Sequence, residues 1–80
     1  MNKQEALDAI NISLRKALGD ESVTVGQGVD LIEQEILDSL DGMVFILELS
    51  GYTTKKFPET DLVDLGFYGV DKLVEFLTTP

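Results

Sequence analysis

Apolar residues at helical spacing limit what this chain can fold into. Between Lys3 and Leu18 they fall at Ala6, Leu7, Ile10, Leu14, Ala17 and Leu18, with Lys, Glu, Asp and Arg between them, and Gly19 follows as a stop signal. Similar spacing returns from Ser39 to about Ser50, ahead of Gly51, and again over Gly69–Leu77, where Val70, Leu73, Val74 and Leu77 form a stripe. "SVTV" at Ser22–Val25 alternates like a strand, but no second convincing strand exists to pair with it, and an isolated strand is not stable. Pro58 suits the first turn of a further short helix, Glu59–Leu65, which Gly66 interrupts. The pattern predicts one all-α domain over residues 1–80: a small four-helix bundle with a long first loop and a short third helix.

The stretch from Gly19 to Asp38 resists assignment. It reads as a long ordered connection pinned by Val23, Val25, Val29, Leu31, Ile32, Ile36 and Leu37, with a short helical turn at "DLIEQ" (residues 30–34). A loop of that length inside a small domain is unusual unless it is functional.

Composition then removes whole classes of chemistry. The 80 residues include no Cys and no His, so disulfides, thiolate metal sites, Ser-His-Asp and Cys-His catalysis are all excluded within the chain. No catalytic residue and no resident metal site is expected: Asp30, Glu33 and Glu35 cluster, but not at the spacing of a calcium-binding loop. A net charge of −9 disfavours nucleic acid and anionic membrane surfaces and favours basic protein partners. The first residues, "MNKQEALDAI", lack the apolar core of a signal peptide and no run approaches a membrane span, so the expected compartment is the cytoplasm. Lys55 and Lys56 stand out in so acidic a chain and read as a solvated loop.

The helix opening at Ser39 has an unusual face distribution. Gly42, Phe45, Ile46 and Leu49 share one side and are assigned to the core. Leu40, Met43, Val44 and Leu47 cover much of the rest, accompanied only by Asp41 and Glu48, so a solvated polar exterior is missing. Either the helix is buried centrally or one apolar flank is a docking surface; full burial of every side is geometrically hard in a four-helix domain this small, so a docking flank is expected. Ser39 itself has two readings. Asp38 or Ser39 could simply cap the helix, since both types accept hydrogen bonds from the free N–H groups of the first turn. Alternatively, an open serine at a helix N-terminus suits an attached anion such as a phosphodiester. With no base beside it, the hydroxyl would be modified by another enzyme rather than act as a nucleophile itself.

"DSL" at Asp38-Ser39-Leu40, opening the second helix after a long first loop, resembles the acyl carrier protein family and its peptidyl and D-alanyl carrier relatives; the likeness runs from Ala6 to Leu77. The resemblance implies a carrier rather than an enzyme. A phosphopantetheinyl transferase would move 4′-phosphopantetheine from coenzyme A to Ser39, and Asp38 would help hold the magnesium ion used in that transfer. Its thiol would carry an acyl group as a thioester between acyl-loading and acyl-processing enzymes, with Leu40, Asp41, Met43, Val44, Leu47 and Glu48 as the partner surface. Two positions depart from the family pattern: Ile36 stands where a glycine is common before "DSL", and Val44 where fatty-acid carriers often have an acid. These point to specialised or D-alanyl carriers rather than a housekeeping fatty-acid carrier. "DLGFYGV" (residues 64–70) is also unusual, with Phe67 and Tyr68 read as packing residues and cargo contact as the lesser role. Alternatives are a D-alanyl or aminoacyl/peptidyl carrier, and an unmodified acidic helical adaptor that docks basic proteins. A monomer is expected, because a shuttle must present its second helix to several partners.

Overall fold

The computed structural model describes residues 1–80 and contains three helices and no strand: α1 (Lys3–Leu18), α2 (Ser39–Ser50) and α3 (Val70–Thr78). The chain is all-α, but the expected four-helix bundle is corrected to three helices. Glu59–Leu65 is not a helix. Asp61 sits in the left-handed region at φ 63°, which no helix accommodates, and a single turn follows, closed by Leu65 N–H to Asp61 O (2.8 Å) and Phe67 N–H to Leu62 O (2.9 Å). Gly66, at φ 77°, turns the chain again. The sequence pattern there is also poor: Val63 and Leu65 are exposed and only Leu62 is partly buried, so no apolar stripe repays the cost of nucleating a short helix.

Each true helix has a local reason. In α1, Asn2 Oδ1 accepts from Glu5 N–H (2.8 Å) while Glu5 Oε1 accepts from Asn2 N–H (2.9 Å), a reciprocal cap. Gly19, at φ 65°, ends it by donating to Arg15 O. α3 needs no side-chain cap, because Val70, Leu73, Val74 and Leu77 are buried on one face.

α1 packs against both α2 and α3, whereas those two do not pack on each other. The space beside them is filled by the connections. The first, residues 19–38, is sewn to α1: Asn11 Nδ2 donates to Val25 O (3.1 Å), Asn11 Oδ1 accepts from Val25 N–H (2.7 Å), and Arg15 Nε donates to Val23 O (2.8 Å). Its other end is held by the approach to α3. Leu31 N–H donates to Tyr68 O (2.8 Å), Val70 N–H to Val29 O (2.8 Å), and Asp30 and Gly69 form an isolated antiparallel bridge. At "DLIEQ" there is a turn, with Asp30 Oδ1 accepting from the N–H groups of Ile32 (3.0 Å) and Glu33 (2.9 Å).

The second connection, residues 51–69, is held by aromatic packing. Phe57, Phe67 and Phe76 stack with centroid separations of 6.0, 4.7 and 5.3 Å. Lys55 is not the solvated residue expected: it is half-buried, its Nζ lies 5.3 Å from the centre of the Phe76 ring, and it donates to Phe76 O (2.6 Å) near the end of α3. Lys56 remains exposed.

Candidate functional site

The site is the start of α2. Glu35 adopts φ 58°, and the N–H groups of Ile36 and Leu37 both donate to Leu31 O (3.0 and 2.9 Å), so the chain reverses just before the helix. Leu37 is buried and anchors that reversal. Asp38 is then the N-cap: its backbone is extended and its Oδ1 accepts from Asp41 N–H at 2.8 Å. Ser39 is the first helical residue and is exposed. Both residues were eligible caps from the sequence; in the fold Asp38 takes the role. The first intrahelical bond is Gly42 N–H to Asp38 O (2.8 Å), which leaves the amides of Ser39 and Leu40 ahead of the ladder, at the positive end of the helix dipole.

Beyond the first turn the faces of α2 separate. Gly42, Phe45 and Leu49 are buried and Ile46 is partly so. Leu40, Met43 and Leu47 are 70%, 67% and 73% exposed, and Val44 is 40% exposed. Such exposure in four large apolar residues of one helix is more than a scatter of surface leucines. Asp41 and Glu48 are half-exposed beside them. Val63 and Leu65, within the segment expected to form the third helix, are also exposed, at 59% and 51%.

Gly42 has a specific reason to be glycine. A Cβ there would lie 3.0 Å from Tyr68 Cε1, Cζ and Oη, so the absence of a side chain lets the tyrosine ring lie against the helix backbone. Tyr68 is buried, and its phenol is pushed above its ordinary pKa by loss of hydration.

Two hollows lie along α2. One, of about 410 Å³, is lined by Ser39, Met43, Thr60, Asp61, Val63 and Tyr68 among others. The second, of about 490 Å³, is lined by Leu47, Ser50, Lys56 and Phe57 among others. Met43, Glu59 and Leu62 line both. A third hollow, of about 510 Å³, lies at the C-terminal end of α1 near Arg15 and Gly19, and none of its lining residues belongs to α2.

Ser39 and the exposed flank thus come together on one helix, while Asp38 faces its own backbone as a cap. The 59–64 segment lies beside Ser39 as a wall of the first hollow, a placement that the helix expected over Glu59–Leu65 does not give. No group of three or more acidic side chains gathers in a way that could hold a metal ion. No helix is long and apolar enough to cross a membrane. Comparison with protein-family models, with characterised proteins and with solved structures finds no match for this chain.

Proposed function

We propose that the chain is a carrier protein whose Ser39 hydroxyl accepts 4′-phosphopantetheine. The observation that carries this reading is the division of labour at the start of α2: Asp38 caps the helix, so an exposed serine stands at its first residue with no structural duty assigned to it. The first turn of α2 suits the group: a phosphodiester on Ser39 would have its amides and the helix dipole beside it, and these would have to outweigh the repulsion of Glu59, Asp61 and Asp64, which line the hollow of about 410 Å³ that Ser39 also lines. When bound, the group supplies a terminal thiol that holds an acyl group as a thioester.

Ser39 Oγ would form the new bond to the phosphorus that bears the pantetheine arm. The diphosphate bond of coenzyme A breaks, adenosine 3′,5′-bisphosphate leaves, and the serine proton passes to a base of the transferase, since the chain has no His to take it. Asp38 keeps one oxygen on Asp41 N–H, which leaves the other for the magnesium ion that the transfer uses in carriers of this kind. Leu40, Met43, Val44 and Leu47 would give the loading and processing enzymes an apolar strip, with Asp41 and Glu48 meeting basic groups at its rim.

The exposed strip serves an unmodified acidic adaptor equally well. The two readings part at Ser39→Ala. Co-expression with a broad-specificity phosphopantetheinyl transferase, followed by peptide mass spectrometry, is expected to find the group on the wild-type peptide that contains Ser39. A wild-type peptide that stays unmodified, with the chain folded, favours the adaptor.

A further inference from the structure

The hollow of about 410 Å³ that Ser39 lines is poor in side chains that could hold an anion. Glu59, Asp61 and Asp64 present carboxylates, which accept hydrogen bonds and repel negative charge, although all three are exposed and water weakens their field. Met43, Leu62 and Val63 are apolar. Apart from Ser39 itself, the lining side chains that can donate are Thr60 and Tyr68, and Thr60 is exposed.

Tyr68 is held in place. The residue is 5% exposed, its backbone O accepts from Leu31 N–H (2.8 Å), and its ring lies against α2 where Gly42 leaves room. Its Oη stands 3.0 Å from where a Gly42 Cβ would be, and it makes no hydrogen bond with any group of the chain. Buried polar side chains normally have a partner. This oxygen is not sealed in, since the enclosed side-chain atom without a partner is Ser13 Oγ; it opens on the hollow that Tyr68 lines. Burial also keeps the phenol above its ordinary pKa, so at neutral pH it is a hydroxyl with a proton to donate.

Gly42 lies one turn on from Ser39, and Cβ positions so spaced are about 5–6 Å apart on the same side of a helix. A phosphorus on Ser39 Oγ carries its free oxygens well beyond the serine Cβ, which brings them within reach of a hydroxyl seated at Gly42. We infer that Tyr68 Oη donates a hydrogen bond to a free oxygen of the phosphodiester on Ser39 and so fixes the first link of the arm against α2. The inference rests on the carrier reading of Ser39. It gives the contact between Tyr68 and Gly42 a purpose: the glycine admits the ring, the packing aims the hydroxyl, and a neutral donor offsets part of the repulsion from the three acids.

Tyr68→Phe removes that oxygen and keeps the ring against Gly42. Wild type and Tyr68→Phe are each treated with coenzyme A, magnesium and a broad-specificity phosphopantetheinyl transferase, and intact mass reports attachment before anything else is read. Urea unfolding of the unmodified and modified chains then gives the effect of attachment on the folding constant. Attachment is expected to be roughly fivefold less favourable to folding in Tyr68→Phe than in the wild type, the size of one net hydrogen bond. A change in packing alone would cancel, because it is present with and without the arm. A second measurement leaves the hollow untouched. In Tyr52→Phe, where Tyr68 is the remaining tyrosine, its ionisation midpoint at 295 nm should rise on attachment, since the phosphodiester accepts from the phenol and repels the phenolate. An equal effect of attachment in wild type and Tyr68→Phe, or a Tyr68 midpoint that does not rise, would overturn the inference while the gain in mass leaves the carrier reading intact. A wild type that gains no mass would remove the carrier reading and the inference with it.

Discussion

Replacing Asp38 and Ser39 one at a time separates the cap from the attachment point. Asp38 accepts from Asp41 N–H at 2.8 Å and places a carboxylate at the positive end of α2. Loss of such a cap to alanine costs about 1 kcal/mol. Its charge beside the dipole adds a few tenths to about 1 kcal/mol at low salt. Asp38→Ala should therefore destabilise the fold by about 1.5 kcal/mol, a drop in Tm of roughly 6–12 °C for a domain of this size. Ser39→Ala alters an exposed first-turn residue and should stay within about 0.5 kcal/mol. Asp38→Asn keeps the capping oxygen and should lose only the charge contribution, a few tenths to about 1 kcal/mol. Urea unfolding followed by circular dichroism at 222 nm, with an unchanged slope, measures all three. If Ser39→Ala costs as much as Asp38→Ala, the hydroxyl is a structural cap and the division of labour at this helix start is wrong.

Three further outcomes follow from the core. Ser13 Oγ is buried within α1 without a hydrogen-bond partner, so Ser13→Ala should raise stability by about 1 kcal/mol, read as a higher urea midpoint; a fall would mean the hydroxyl has a partner in solution. Gly42→Ala brings a Cβ to 3.0 Å from the Tyr68 ring. Overpacking of about 1–3 kcal/mol outweighs the gain of about 1 kcal/mol in helix propensity, so the midpoint should fall; a rise would show that the ring yields freely. Burial raises the Tyr68 pKa above 10.0, so its contribution to stability is fully present below pH 10 and is lost as pH rises through the folded value. In Tyr52→Phe, where Tyr68 is the remaining tyrosine, ionisation followed at 295 nm should have its midpoint above 10, and a midpoint at or below 10 would contradict the burial.

What could be read directly was local. The stripes of α1 and α3 and the opening of α2 at Ser39 follow from periodicity and end signals that act within a turn or two. Glu59–Leu65 misled for the opposite reason: Pro58 and the acids are good start signals, but Asp61 adopts a left-handed conformation that its residue type does not announce. The choice between Asp38 and Ser39 as cap was undecidable from residue types, since both accept the same bond, and only the backbone angles select Asp38. Lys55 looked solvated because its partners, the Phe76 ring and carbonyl, lie far along the chain. Tyr68 against Gly42 is another contact of that kind; the sequence put Gly42 on the core side of α2 without saying what it faces.

The most direct measurement is intact mass after incubation of the purified chain with a broad-specificity phosphopantetheinyl transferase, magnesium and coenzyme A, with Ser39→Ala in parallel. The wild type should gain the mass of a single phosphopantetheine and Ser39→Ala should gain none. An unchanged wild type whose helical spectrum shows it to be folded would contradict the carrier reading and leave α2 as the docking face of an unmodified adaptor.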